Sequence, residues 1–175
     1  MRESYPGTCP ACGGDIQMVH HRLEIPHFPD LLLVVISCGA CGYRHTDTII
    51  LGEGNPVRWT VRVEEPGDLA IRVARSTTGT IEIPELGLAV EPGTACEGFV
   101  TNIEGVLSRF EQAVETVLAN PESDEERAAA LQMLDTLAAA REVAVPFTVI
   151  LEDPAGNSML VSEKAEKMLL DQGET

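Results

Sequence analysis

The sequence has few aromatic residues and little positive charge. Aromatic side chains make up 4% of the chain, with one tryptophan, two tyrosines and four phenylalanines. The only lysines are Lys164 and Lys167, and 12 basic residues stand against 28 acidic ones, so the formal net charge is −16. A field of that sign repels phosphate backbones, so we do not expect nucleic acid to be the main partner. The simplest interpretation of the acidity is a solvated surface; the alternative is a surface that binds a basic partner.

Long hydrophobic runs and familiar catalytic motifs are also missing. The longest apolar run, "LLLVVI" at 31–36, is far shorter than the roughly 20 residues of a membrane helix and predicts a buried strand. The N-terminal "MRESYPGTCPACGG" has no apolar signal core, so we expect a cytoplasmic protein with no membrane partner. The chain contains no P-loop, dinucleotide fingerprint or nucleophile elbow. No residue stands out as a catalyst, and we predict that the protein is not an enzyme.

Four of the five cysteines form two pairs of the same form, Cys9-x2-Cys12 and Cys38-x2-Cys41, and each pair is followed by glycine. Two such turns brought together by a hairpin can surround one ion with a tetrahedron of sulfur. In a reducing compartment this spacing favours metal over disulfides, and a thioredoxin-like pair would need a βαβ context that is absent here. We therefore predict one structural Zn²⁺ with a closed four-thiolate shell. The fifth, Cys96, is predicted to be a small buried residue.

Three alternatives remain open at this point. Iron in a rubredoxin-like centre also uses two such cysteine pairs, and the protein would then be a one-electron carrier with a red colour. A small-molecule enzyme or binder could instead use the interior of the β-domain. A third, weaker possibility is that His45, four residues after the last cysteine of the pairs, replaces one ligand.

The residue patterns predict a mainly β fold with an α-helical hairpin. Residues 1–52 form the cysteine-containing unit, with strands near 16–25, 31–37 and in "HTDTIIL". Residues 53–175 form a β-domain with a helical hairpin inserted at about 101–142. "VRWTVRV" and "LAIRVARS" alternate apolar and polar residues, as expected for an antiparallel sheet with one wet face.

The boundaries of the helices carry their own signals. Thr101 with Glu104, and Ser123 with Glu126, fit capping boxes at the starts of the two helices. "VPFTVILEDPAGNSMLV" then predicts strand, tight turn and strand, and a short helix from about 162 to 171 ends the chain. The acidic pair Glu152–Asp153 before "PAGNS" could bind a cation or substrate, but a turn bonded to its own backbone is the favoured interpretation.

Taken in order, these motifs resemble the ZPR-type zinc-finger protein family, in the single-module form typical of archaea. The matching stretches are "CPACGG", "IPHFPDLLLVVISCGACGYRHTD", "DLAIRVARSTTGTIEIPELGLAVEPGT", "TNIEGVLSRFEQAV" and "PFTVILEDPAGNS". They span about 150 residues, nearly the whole chain. The sequence departs from the family pattern at Pro29–Asp30, where lysine–glutamate is common, and near Met159, where tyrosine is common.

The resemblance implies a zinc ribbon similar to that of the initiation factor 2 beta subunit, followed by a double-stranded β-helix (jelly-roll-like) domain. It implies an interaction or chaperone protein, since eukaryotic members bind translation elongation factor 1-alpha and assist its folding, so we expect this chain to bind the archaeal factor. The metal ligands carried over by motif are Cys9, Cys12, Cys38 and Cys41. Family positions of unknown role are matched by Tyr43, Arg44, Asp153, Asn157 and Ser158.

Overall fold

The described part of the chain contains antiparallel strands and two helices, and the helices lie between the ninth and tenth strands. A computed structural model describes residues 2–23, 30–51, 54–93 and 97–170, and for Thr48 and Ile50 the backbone only. The strands are β1 (Arg2–Thr8), β2 (Asp15–Leu23), β3 (Asp30–Ser37), β4 (Arg44–Leu51), β5 (Val57–Val63), β6 (Arg72–Arg75), β7 (Thr80–Ile83), β8 (Leu88–Val90), β9 (Phe99–Asn102), β10 (Phe147–Asp153), β11 (Met159–Val161) and β12 (Glu166–Leu169). The helices are α1 (Ile103–Ala119) and α2 (Asp124–Arg141). Cys96 and His27 lie outside the described residues.

The first four strands form a sheet of their own, in the order β1-β2-β3-β4, with every pair antiparallel. The three strands predicted in this part of the chain are confirmed as β2, β3 and β4. Strand β1 was not predicted, because Pro6 and Gly7 lie in the middle of it and its side chains do not alternate in burial. We call this sheet, together with its two cysteine turns, the ribbon.

The remaining strands form two sheets that enclose the main core. One has five strands in the order β12-β5-β10-β7-β8 and the other three, in the order β11-β6-β9. The two central strands of the larger sheet alternate in burial as the sequence predicted: in β10 every second residue from Phe147 to Asp153 is buried, and Val57, Val61 and Val63 are buried in β5. Apolar side chains from both sheets and from the helices meet in one continuous cluster. A sheet with one face toward solvent and the other packed in the core is typical of an antiparallel β-sandwich.

The helical hairpin lies close to its predicted place, but one cap differs from the prediction. At the start of α1 the cap is Asn102, whose side chain accepts a hydrogen bond from Gly105 N at 2.8 Å, so the capping box at Thr101 and Glu104 is wrong. Strand β9 runs to Asn102, one residue beyond Thr101, so the helix begins one residue later than the predicted cap requires. Neither helix is long and apolar enough to cross a bilayer, within the described part of the chain.

The second helix begins at the predicted cap, with a variation. Ser123 Oγ accepts from Glu126 N at 3.0 Å, which confirms this cap. The Glu126 carboxylate accepts a hydrogen bond from Glu122 N, one residue before the cap, at 2.6 Å. At the other end of α2, Arg141 donates to Ser108 Oγ at 2.9 Å and to the Glu111 carboxylate. These bonds tie the two helices together.

The predicted C-terminal helix is wrong. Residues 166–169 form strand β12, which pairs with β5 so that Lys167 lies opposite Trp59. Leu170 N also donates to Pro56 O at 2.8 Å, which continues the pairing past the end of the strand. The open edge of β5 therefore overrides the local helix preference of these residues, whose side chains are all exposed.

The strand predicted in "LAIRVARS" begins later than expected. A 3-10 turn occupies Pro66–Ala70, and β6 starts only at Arg72. The Asp68 carboxylate accepts hydrogen bonds from the N–H groups of Glu64 and Glu65, which bends the chain into the turn.

Within the described residues, a small apolar patch joins the ribbon to the rest of the protein. Leu31 of β3, 2% exposed, packs with Ala74 of β6, with Leu23 and Met159 around them. A polar contact lies beside it, with His45 Nε2 3.7 Å from Glu97 Oε1. The division of the chain into units at residues 52 and 53 stays a prediction.

Candidate metal centre

The two cysteine pairs lie in two turns of nearly identical structure. In the first turn, between β1 and β2, Cys9 N donates to Gly14 O at 2.8 Å and Gly13 N donates to Cys9 O at 2.9 Å. In the second, between β3 and β4, Cys38 N donates to Tyr43 O at 2.8 Å and Gly42 N to Cys38 O at 3.0 Å. The neighbouring hairpins of one sheet therefore bring two equivalent turns side by side.

A glycine with positive φ makes each turn possible. The φ angle is +72° at Gly13 and +75° at Gly42, in the left-handed region that other residues enter only with strain. At this conformation the chain reverses directly after the second cysteine of each pair. The glycine of the CxxCG pattern is therefore required by the backbone conformation of the turn.

The four sulfur atoms converge on one point. The ligand atoms of Cys9, Cys12, Cys38 and Cys41 all lie within 4.8 Å of one another. Cys9 Sγ is 3.7 Å from Cys41 Sγ, and Cys12 Sγ is 3.7 Å from Cys38 Sγ. A zinc ion with bonds of about 2.3 Å to sulfur in a tetrahedron places its ligands about 3.8 Å apart. The four cysteines therefore fit, and can hold, one zinc ion.

The protonation of the thiols also favours a bound cation. The N–H groups of Cys41 and Ala40 donate to the sulfur of Cys38 and lower the pKa of that thiol to about 7. The Tyr43 N–H favours the thiolate of Cys41 too, but hydrogen bonding to Cys12 and burial outweigh it and raise the pKa of Cys41 to about 12. Successive thiolates at this spacing repel one another, and a divalent cation removes that repulsion.

One side of the sulfur cluster is covered and the other is open to solvent. Cys9 and Cys38 are buried with Ile16, and Met18, Ile36 and Tyr43 pack around them, whereas Cys12 and Cys41 are exposed. Tyr43 therefore lies in the small apolar cluster below the site, and Arg44 begins strand β4 opposite Ser37. Among the described residues, the cysteines form the one cluster of metal-binding side chains, and His45 contacts Glu97 instead.

The other candidate residues lie far from the sulfurs along the chain, around the turn after β10. Asp153 is fully buried, and its carboxylate accepts five hydrogen bonds: three from the hydroxyls of Ser76, Thr78 and Ser158, each at 2.6 Å, and two from backbone N–H groups at 2.8 and 3.1 Å. The hydrogen bonds outweigh burial and hold the pKa of Asp153 below its usual value.

The same turn packs against the segment that follows the ribbon. Asn157 N is one of the backbone donors to Asp153, and Ser158 Oγ accepts from Ser76 N at 2.9 Å. The backbones of Gly54 and Gly156 touch so closely that a side chain on either would collide with the other. Asp153 and Ser158 therefore lock a turn that supports the connection to the ribbon, and the five family positions carry no assigned role beyond these contacts.

One further feature, the buried Arg75, was not predicted from the sequence. It is the inward-facing residue at the end of β6 and lines a cavity beside α1. The only sequence signal is an arginine at an inward position of the alternating stretch "RVAR", which is weak by itself.

A four-sulfur ribbon followed by an antiparallel sandwich with a helical hairpin defines a class of zinc-ribbon proteins with a jelly-roll domain. Models of two domains match this chain: the ZPR1 zinc-finger domain over residues 3–52 and the ZPR1 jelly-roll domain over residues 67–172. The chain belongs to the ZPR1 family. The zinc-finger match favours zinc over the iron alternative, which would use the same four sulfurs.

Relatives in archaea and eukaryotes show the same membership. An uncharacterised ZPR1-like protein of Pyrococcus horikoshii is 42% identical over 96% of this chain and 78% of its own length. A similar protein of Methanocaldococcus jannaschii is 34% identical over 95% of this chain and 85% of its own length. A protein named zinc finger chaperone zpr1 in Schizosaccharomyces pombe is 36% identical over 90% of this chain. The chain spans 35% of that longer relative, whereas it spans most of the archaeal ones, in agreement with the single-module form.

Proposed function

We propose that this protein is a zinc-stabilised interaction protein of the chaperone type, and that it binds the archaeal counterpart of translation elongation factor 1-alpha. The observation that carries the proposal is the closed cluster of four sulfurs, which fills every position of a tetrahedral zinc ion. A metal so enclosed cannot activate water or bind substrate, so the ribbon serves as a scaffold for recognition. The name of the fission-yeast relative, zinc finger chaperone, supports the chaperone part.

The same reasoning argues against catalysis at the metal, and zinc, which has no redox chemistry, argues against an electron carrier. Catalytic zinc needs an open coordination position, which four thiolates do not leave. The net charge of −16 argues against nucleic acid as the partner. Free thiols at the site suit the reducing cytoplasm, where we place the protein.

One exposed edge offers a surface on which a protein partner could pair. Strand β12 is at the end of the five-stranded sheet, and its Met168 and Leu169 are 50% and 60% exposed. An open edge with apolar side chains is the arrangement to which a partner can add a strand.

The test is binding of the purified zinc-loaded chain to a purified archaeal elongation factor 1-alpha, measured by calorimetry without nucleotide, with GDP and with GTP. We expect saturable binding in at least one of these states, and a higher yield of active factor when it refolds in the presence of the chain. The double variant Cys12→Ser, Cys41→Ser, which cannot hold zinc, should bind more weakly. An unrelated protein of similar acidic charge is the control for non-specific attraction. Absence of binding in all three states would overturn the proposal of this partner.

A further inference from the structure

A cavity of about 270 Å³ lies between the small sheet, the end of the large sheet and the first turns of α1. Its apolar walls are Ile81, Val90, Phe99, Val106 and Phe110, and its charged lining is Arg75, Arg109 and Glu97. We call it the α1 cavity. In a molecule with a net charge of −16, a cavity with two arginines is locally of the opposite sign.

Arg75 enters this cavity with part of its hydrogen-bonding capacity unused. The residue is 2% exposed. Its Nε donates to Gly79 O at 2.8 Å, and its Nη1 makes only a long bond of 3.5 Å to Glu97 O. Its Nη2 is buried and has no hydrogen-bond partner. Within the described ranges no carboxylate forms an ion pair with this guanidinium, although a buried charge without a counter-ion is costly.

The surroundings fix the guanidinium in this place. A Cβ on Gly79 would lie 2.6 Å from Ser158 Oγ and 3.2 Å from Arg75 Cγ, so the backbone that holds Nε is itself tightly packed. Both arginines lie near the ring of Phe99, whose centroid is 5.6 Å from Arg75 Cζ and 4.2 Å from Arg109 Cζ. One of these two cations is buried and the other is exposed.

We propose that the α1 cavity binds a carboxylate carried on a small apolar group. The free Nη2 edge of Arg75 supplies the donors that a carboxylate oxygen accepts, in a setting where a charged hydrogen bond is strong. The apolar walls take the body of the ligand, and Arg109 closes over it from the exposed side. The volume equals roughly nine waters at about 30 Å³ each, room for a small organic acid or for one terminal residue of a peptide.

Glu97 does not take the place of this ligand. Its side chain is 60% exposed, and its Oε1 lies 3.7 Å from His45 Nε2 of the ribbon. Its contribution to Arg75 comes from the backbone carbonyl. The carboxylate of Glu97 thus belongs to the rim, and the net charge of the lining stays positive.

The first test is titration of the full zinc-loaded chain with 3-phenylpropionate, followed by NMR. We expect saturable chemical-shift changes at residues of β6, β9 and α1. The uncharged 3-phenylpropionamide should bind at least about tenfold more weakly than the acid, since a hydrogen bond to a charged group is worth about that factor or more. Equal binding of acid and amide, or no saturable binding up to about 10 mM, would overturn the proposal.

Variants of both arginines identify the residues responsible. Arg75→Met keeps the volume and removes the charge, and should weaken the acid about tenfold or more. Because Arg75 is buried, the exposed Arg109→Gln gives an independent test that leaves the core intact, with an expected loss of a few-fold. Arg127→Gln, an exposed arginine on α2 away from the cavity, is the matched control and should leave binding unchanged. Wild-type affinity in both Arg75→Met and Arg109→Gln would refute the assignment.

A second pair of probes distinguishes the two sources of such a carboxylate. Acetyl-Gly-Phe with a free C-terminus is compared with its C-terminal amide. Tighter binding of the peptide acid than of 3-phenylpropionate supports the C-terminus of a polypeptide as the ligand. Binding of 3-phenylpropionate alone supports a free small organic acid.

Discussion

At the scale of single residues, Asp153 shows how a buried charge is kept. Its two carboxylate oxygens share five donors, so the loss of water is compensated by hydrogen bonds from three hydroxyls and two backbone N–H groups. The sequence predicted a turn in which Asp153 bonds its own backbone, and the bonds to Ala155 and Asn157 are of that kind. The bonds to Ser76 and Thr78 join positions more than 70 residues apart, and no local pattern could predict them.

Asp153→Asn should destabilise the jelly-roll part by about 2 kcal/mol or more. Oδ1 accepts from Ala155 N and Oδ2 from Asn157 N, so whichever oxygen becomes the amide nitrogen faces a backbone donor. Urea unfolding followed by the fluorescence of Trp59, the single tryptophan, measures this loss, because Trp59 pairs with Leu151 on the strand that carries Asp153. The matched control is Glu152→Gln, the neighbouring acid in a surface pair with Arg58, which should cost at most about 1 kcal/mol. Equal losses in the two variants would contradict this account.

The wild type and Asp153→Asn should also differ in how their stability against unfolding depends on pH. The pKa of Asp153 is lower in the folded state than its usual value, so the unfolded state binds more protons as the pH falls. The contribution of Asp153 to the stability of the folded state is therefore complete above about pH 5 and is lost progressively below it. The Trp59 signal of Asp153→Asn should show a smaller loss of stability in this range than the wild type.

At the scale of elements, the cysteine turn is the unit that the sequence specifies most completely. Gly42→Ala should lower the affinity for zinc about fivefold, since the strain of a left-handed conformation costs about 1 kcal/mol. No atom lies within 4 Å of a Cβ built on Gly42, so the effect comes from the backbone alone. Competition with a chromophoric chelator measures it. Gly39→Ala is the matched control in the same turn, with equally open space and no positive φ, and should stay near the wild-type affinity. Equal affinities of the two variants would refute the argument.

Strands with alternating burial were predictable, whereas two edge strands whose side chains are mostly exposed, β1 and β12, were not. Strands β5 and β10 are central, and the alternation of apolar and polar residues in their sequences predicts which face is buried. Strands β1 and β12 are at the ends of their sheets and expose most of their side chains, so nothing in their sequence requires a strand. Their conformation comes from the neighbour that they pair with. For β12 this overrode a stretch that favours helix.

At the scale of the whole molecule, the two parts depend on different sources of stability. Among the described residues, the core of the sandwich and helices contains 17 buried side chains, whereas that of the ribbon around the sulfurs contains three, two of which are cysteines. Zinc binding of this type is worth on the order of 10–16 kcal/mol near neutral pH, which can replace a hydrophobic core in the ribbon. Cysteine spacing predicted the ribbon, whereas the jelly-roll closure was implied by family resemblance alone, because strand alternation does not say which edges meet. Neither the cysteine spacing nor the family resemblance predicted the α1 cavity, since a buried arginine leaves no periodic signal in the sequence.

The central claim is that four thiolates close around one zinc ion and leave it no further ligand. X-ray absorption at the zinc edge of the purified protein tests it most directly. The account predicts one zinc per chain with four sulfur neighbours at about 2.3 Å and no oxygen or nitrogen in the inner shell. An oxygen or nitrogen neighbour on the zinc, or a red protein whose site holds iron instead, would contradict it.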